Sequence, residues 1–182
     1  MTAGAPTIRK MVRADLPVFF VYLNDHLQDN GSAGTARFMP MARSESRFSP
    51  EKELAFRNGM EIPVGQPGWR RGWLALTADG RIAGHVDLRA RPEKACAHRA
   101  LLGMGVQRDF RRQGLGEALV KVALGWAASE PIDWIDLEVL SVNTAARQLY
   151  ARCGFTQVGE IADMFRIDGE SLGYTFMVRK IR

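Results

Sequence analysis

The stretch Leu101–Gly116, LLGMGVQRDFRRQGLG, constrains the fold more than any other part of the chain. An apolar run, Leu101–Val106, gives way to a basic, glycine-containing loop, Arg108–Gly116, which opens directly into a helical pattern. Alternation places Leu102, Met104 and Val106 on one face of a strand and Gly103 and Gly105 on the other. Glycine inside a strand pattern marks a bulge or a close approach by another backbone or a ligand. The loop then offers Arg111, Arg112, Gln113, Gly114, Leu115 and Gly116 just ahead of the helix. Unpaired N–H groups at a helix N-terminus, glycines that admit a close ligand and two guanidiniums together suit a phosphate-bearing ligand. The same residues also describe an ordinary strand, a solvated basic turn and a helix, so taken alone the stretch leaves both readings open.

The flanking sequence supplies the other elements. Thr7–Val12 reads as a first strand. Asp15 can cap a helix to about Gln28, with Leu16, Phe19, Phe20, Leu23 and Leu27 as its apolar stripe and Asn30-Gly31 as its stop. Gly31–Phe48 is irregular. Ser49-Pro50-Glu51 starts a second helix with a cap, a proline at the first helical position and an acid in the first turn, and Asn58-Gly59 ends it. Ile62–Gly72 reads as a Pro/Gly loop. Trp73–Thr77 and Arg81–Arg89 flank Asp79-Gly80, a hairpin signal, and His98–Gln107 is the next strand. Leu115, Leu119, Val122 and Trp126 recur at helical spacing from Leu115 to Ala128. Trp134–Leu140 is a strand with Ile135, Leu137 and Val139 on one face, Asn143–Arg152 a helix, and Phe155–Ile167 and Leu172–Ile181 the last strands, joined at Asp168-Gly169.

The order is β-α-α-β-β-β-α-β-α-β-β. The strand–helix–strand unit in its middle favours one parallel pair, and the hairpins favour antiparallel pairing elsewhere. The expected class is α/β (mixed α+β): one domain over residues 1–182, with a mixed sheet of about seven strands, helices on both faces and a ligand-binding core at about 73–160. A chain of 182 residues, 46% apolar and 25% charged, suits a single globular domain. No apolar stretch is long enough to cross a bilayer, and Met1–Asp15 lacks the apolar centre of a signal peptide, so a cytoplasmic location and no membrane partner are expected. Cys96, Cys153 and three histidines (His26, His85, His98) show no metal-ligand spacing. The net charge of +5 comes from scattered basic residues rather than a Lys/Arg run interleaved with aromatics, which argues against a nucleic-acid partner.

Arg111-x-x-Gly114-x-Gly116 after an apolar strand resembles the R/Q-x-x-G-x-G/A signature of the GCN5-related N-acetyltransferases, where it holds the pyrophosphate of acetyl-CoA. Leu137–Val139 followed by Asn143, Ala145, Ala146, Leu149, Tyr150, Gly154 and Phe155 is similar to a second segment of that family, in the same order and spacing. The likeness runs from about Leu101 to about Gly159. It implies the acyl-CoA N-acyltransferase fold, in which the fourth and fifth strands splay and the pantetheine arm enters the gap. It also implies acetyl-CoA as acetyl donor, without a metal. The acceptor is then a primary amine of a small molecule or an amino acid, with a small molecule preferred. Two alternatives stand beside it: a protein N-terminus as acceptor, as in ribosomal-protein-type enzymes, and a non-catalytic acyl-CoA sensor.

Acetyl transfer to an amine needs a neutral nucleophile, a donor for the developing oxyanion and a proton for the departing thiolate. By resemblance, the backbone of Met104, Gly105 and Val106 aligns the thioester, Arg111–Gly116 binds the pyrophosphate, and Asn143 contacts the cofactor. Tyr150 protonates the sulfur. Asn143 is equally suited to cap a helix, and Tyr150 to pack as a core aromatic. Glu138, facing away from Leu137 and Val139, is the candidate base, with His98 and Glu93 as rivals. Cys153 sits at core spacing and reads as a buried filler, so direct attack in a ternary complex is expected. Arg37, Arg43 and Arg47 suggest either an anionic acceptor or, more simply, a solvated basic face. Specificity is expected in Arg37–Phe48, Ile62–Gly72 and the last hairpin, and pairing of last strands between chains would give a homodimer.

Overall fold

Strand β4, Arg99–Val106, lies at the centre of a seven-stranded sheet ordered β1-β2-β3-β4-β5-β7-β6 in the computed structural model, which describes residues 4–32 and 34–182. The other strands are β1 (Thr7–Lys10), β2 (Arg70–Leu76), β3 (Ile82–Ala90), β5 (Trp134–Leu140), β6 (Thr156–Ile167) and β7 (Glu170–Lys180). The helices are α1 (Leu16–Gln28), α2 (Pro50–Gly59), α3 (Leu115–Ala127) and α4 (Thr144–Arg152). Every neighbouring pair is antiparallel except β4 and β5, which the α3 crossover makes parallel.

Two cores follow from strand alternation. On one face Trp73, Val86, Leu88, Leu102, Ile135, Leu137 and Met177 pack with α3 and α4. On the other, Leu74 and Ile82 meet Leu16, Phe19, Phe20, Leu23 and Leu27 of α1 and Phe56 of α2. The α1 stripe is thus as expected. That of α3 is wider: Val120, Ala123, Leu124 and Ala127 are buried beside Leu115 and Leu119, whereas Val122 is half-buried. Trp126 lies at the margin, its ring 5.2 Å from that of Trp73. On α2 only the Phe56 ring is buried, and Leu54 faces solvent.

Three local expectations change. Strand β2 begins inside the stretch expected to be loop, because Arg70 and Arg71 pair with Arg89 and Leu88. Asp15 does not cap α1; its carboxylate accepts from Val12 N–H at 2.8 Å and pairs with Arg9, closing the turn before the helix. Arg37 is not part of a solvated face. It is 6% exposed, bonds the Met41 carbonyl and Asp168 (2.8 Å each), and ties the α1–α2 connection to the β6–β7 turn. Ser49 and Asn143 do cap their helices, accepting from Lys52 and Ala146 N–H respectively. Among the described residues no helix is long and apolar enough to cross a membrane.

Candidate active site

The parallel partners β4 and β5 meet only at Arg99–Leu101 and Trp134–Asp136. Beyond these pairs β4 continues to Val106 and β5 to Leu140 without joining, so the sheet opens into a wedge. Gln107 N–H bonds the Ala83 carbonyl at 2.9 Å, toward β3. Residues two apart share a strand edge, so Gly105 N–H also faces β3, while the amides of Met104 and Val106 face the wedge.

The loop and α3 close its wide end. Gly114 is the N-cap of α3 at φ +82°, a conformation that disfavours any side chain, and a Cβ there would meet nothing within 4 Å. No side chain caps the helix. Its first bond, Ala118 N–H to the Gly114 carbonyl, leaves the amides of Leu115, Gly116 and Glu117 without intrahelical partners. At Gly116 a Cβ would lie 3.0 Å from Leu149 and 3.4 Å from Met104, so glycine lets α4 and β4 close against the start of α3. Arg112 is exposed, and Gln113 bonds the Asp109 carbonyl.

Arg111 is already engaged. Its Nε donates to the Val106 carbonyl at 3.0 Å and its Nη2 meets Asp29 at 3.1 Å. Arg108 pairs with the same carboxylate, and Gln107 bonds Asp25. Two acids near the end of α1, which local patterning did not single out, therefore hold the loop in place. Much of the Arg111 charge is balanced by Asp29, which leaves the free amides and Arg112 as the main attraction for an anion.

The wedge joins two dissimilar sides. On the α3–α4 side Tyr150 is buried with its ring against Phe155. Burial pushes its phenol well above the usual range, so it keeps its proton at neutral pH. Cys153 is buried beside it, its thiol pushed up by burial, which favours an inert filler over a nucleophile. Glu138 lies on the opposite face, exposed, and accepts from the Tyr174 hydroxyl at 3.3 Å. Burial, then the charge of Glu138, pushes Tyr174 up to about 12. Glu93 and His98 are both exposed around the turn before β4, and Glu93 approaches Arg91 at 3.5 Å.

The α1 side also holds polar groups that sequence reasoning missed. A Cβ on Gly105 would sit 2.7 Å from His26 Nε2 and 2.8 Å from His85 Cε1. The Tyr22 hydroxyl lies 3.1 Å from His85 Nδ1 and also reaches the Gly105 carbonyl. Burial lowers His26 to about 3, with the His85 charge second, and lowers His85 to about 4. The Gly103 site is filled likewise by Asp87 and Arg89. Asp87 also pairs with Arg70, and farther along the face Asp136 is bound by Arg91 and Arg99. Buried charges at alternate positions, Asp87 in GHVDLRA and Asp136 in WIDLEVL, were the available signal.

A model of the acetyltransferase (GNAT) family matches residues 37–155. The chain belongs to that family. A mycothiol acetyltransferase from Clavibacter michiganensis is 32% identical over 58% of this chain but only 34% of its own length. The chain thus spans about a third of that relative. Among solved structures, a GNAT-family acetyltransferase from Streptococcus pneumoniae superposes with TM-score 0.80 at 22% identity, covering 97% of this chain and 99% of that one. The yncA protein of Salmonella typhimurium, solved with its cofactor acetyl-CoA, gives 0.78 at 18% identity, covering 98% and 95%. At these identities the likeness concerns the fold. Among the described residues no cluster of His, Cys, Asp and Glu could hold a metal ion.

Proposed function

We propose that this GNAT chain transfers the acetyl group of acetyl-CoA to the primary amine of a small molecule or amino acid, by direct attack in a ternary complex. The observation that carries this reading is an uncapped helix N-terminus, built on Gly114, that starts against β4 beside the β4–β5 wedge. The residues fit the donor. The amides of Leu115, Gly116 and Glu117, with Arg112, would hold the pyrophosphate at the positive end of the α3 dipole. Gln113 and Gly114 would complete that cradle. The amides of Met104 and Val106 would hold the pantetheine arm, with Gly105 between them and the Asn143 amide group at the far side of the wedge. Arg111 contributes by fixing the loop to Val106 and Asp29.

Acetyl-CoA, when bound, supplies an acetyl thioester. A new C–N bond forms as the C–S bond breaks, and two protons have to move. Glu138, directly or through water, accepts the proton lost by the amine. Tyr150 keeps a proton at Oη for the departing sulfur. An amide of β4 facing the wedge would stabilise negative charge developing on the carbonyl oxygen. Cys153 takes no part.

Calorimetric titration with coenzyme A, followed by free-thiol release from acetyl-CoA across a panel of amines, tests the reading. Binding abolished by bulk at Gly114, and turnover that depends on the amine, are expected. Absence of coenzyme A binding would overturn it.

A further inference from the structure

Strand β4 carries no side chain at Gly105, and the space is filled by the edge of an imidazole. A Cβ there would lie 2.7 Å from His26 Nε2 and 3.0 Å from His26 Cδ2. Nε2 is therefore within about 4 Å of the Gly105 Cα, and within roughly 6 Å of the Val106 amide that faces the wedge. Two donors at that spacing can share one oxygen at about 3 Å from each. A carbonyl oxygen has two lone pairs to offer them.

The ring is held in place. Phe38 packs on it with ring centroids 4.8 Å apart, and Tyr22 lies nearly parallel to it at 6.1 Å. Asp25 and Asp29, before and after His26 in the chain, bind Gln107 and the Arg108–Arg111 pair respectively. The helix end that carries the ring is thus tied to the loop that leaves β4. Burial, then the charges of His85, Arg111 and Arg108, keeps the imidazole neutral. Its Nδ1 is fully buried without a hydrogen-bond partner among the described residues. A buried N–H without an acceptor is rarer than an acceptor short of a donor. The one ring proton therefore belongs on Nε2, the nitrogen over Gly105. A neutral imidazole fixed in this way can polarise a carbonyl without giving up its proton.

We propose that His26 is a catalytic residue, its Nε2–H donating to the acetyl carbonyl oxygen beside the wedge-facing amide of β4. The proposal rests on the acetyltransferase reading above and adds a second donor to it. As the amine's electron pair forms the C–N bond, the carbonyl π pair moves onto oxygen, where both N–H groups meet it. That pair returns as the C–S bond breaks and its electrons leave with sulfur. His26 keeps its proton throughout. The amine's proton goes to Glu138, and the sulfur takes that of Tyr150.

The first test uses the wild-type protein labelled with ¹⁵N at histidine, the His26 signals being those lost in His26→Gln. The proton is expected on Nε2. The Nε2 resonance should shift further with acetyl-CoA than with coenzyme A, which lacks the carbonyl. The second test is turnover with the fastest amine of the panel. His26→Phe fills the same space without a donor and should lower kcat about 10²- to 10³-fold, with calorimetric affinity for coenzyme A unchanged. His26→Gln, whose side-chain amide carries N–H donors to the same reach, should recover at least about 10-fold of that loss. The gap between the two variants separates donation from packing. A proton on Nδ1, identical spectra with the two ligands, wild-type kcat in His26→Phe, or a glutamine variant no better than phenylalanine overturns the proposal. The wild-type spectra decide even where a variant fails to fold. Failure of the wild type to bind coenzyme A would instead overturn the parent reading.

Discussion

The His26–His85 pair sets a pH limit on stability that can be worked out. Both imidazoles are buried and neutral when folded, with values lowered to about 3 and about 4 from an ordinary 6.5. The unfolded chain therefore binds protons below about pH 6.5 that the folded chain refuses. Because the unfolded state gains protons as pH falls, stability falls in the same direction. At about 1.4 kcal/mol per pH unit and group, lowering pH from about 7 to about 5 costs roughly 2 kcal/mol per histidine, or about 4 in total. That is a large part of a typical 5–15 kcal/mol domain stability and corresponds to a drop of roughly 8–16 °C in Tm. The lowered carboxyls of Asp15, Asp79 and Asp168 lose their contribution only near and below their ordinary value of 3.8, beneath this window. Urea midpoints in buffers between these limits measure the slope. His26→Gln should roughly halve it, and adding His85→Gln should flatten it. A wild type equally stable at both ends, or a double variant with an undiminished slope, would refute the reasoning.

Other expectations follow from single contacts. Tyr150→Phe should lower kcat about 10²- to 10⁴-fold with little change in coenzyme A affinity, measured by thiol release and calorimetry. Gly105→Ala pushes a methyl into His26 and His85 and should cost about 1–3 kcal/mol in chemical denaturation. Gly125→Ala, in the interior of α3 with nothing within 4 Å, should instead gain about 0.5–1 kcal/mol and serves as its control. Arg37→Ala frees the β6–β7 turn from the α1–α2 connection and should cost about 1–3 kcal/mol, seen as a lower Tm.

The parts of this fold legible in the sequence are those fixed by residues close in the chain. The Trp134–Leu140 strand, the Asn143 cap, the Ser49-Pro50 helix start and the helix opening at Gly114 depend on periodicity and local hydrogen bonds, which a window of residues contains. The parts that were not legible depend on partners far along the chain. Arg37 reads as a surface charge until the fold brings Asp168 beside it. The start of β2 is hidden in a Pro/Gly-rich stretch and is imposed by pairing with β3. The pairing of Arg111 with Asp29 is likewise announced by nothing near Arg111 in the sequence.

Strand β4 shows how several constraints can converge on one short segment. It meets three demands at once. Leu102 and Met104 pack toward α3, the free amides of Met104 and Val106 face the wedge, and Gly103 and Gly105 make room for Asp87, Arg89, His26 and His85. A strand so constrained has few acceptable sequences, so its apolar-glycine alternation is conspicuous. The glycines were expected to admit a ligand's backbone contacts. Their stronger effect is to let the side chains of neighbouring elements reach over β4 toward the wedge. The free amides and the open helix end are thus written in one contiguous segment, because they need only local geometry. The polar face opposite α3 is assembled from α1, β2, β3, β5 and β7, and its pairings become visible only when those elements are folded against one another.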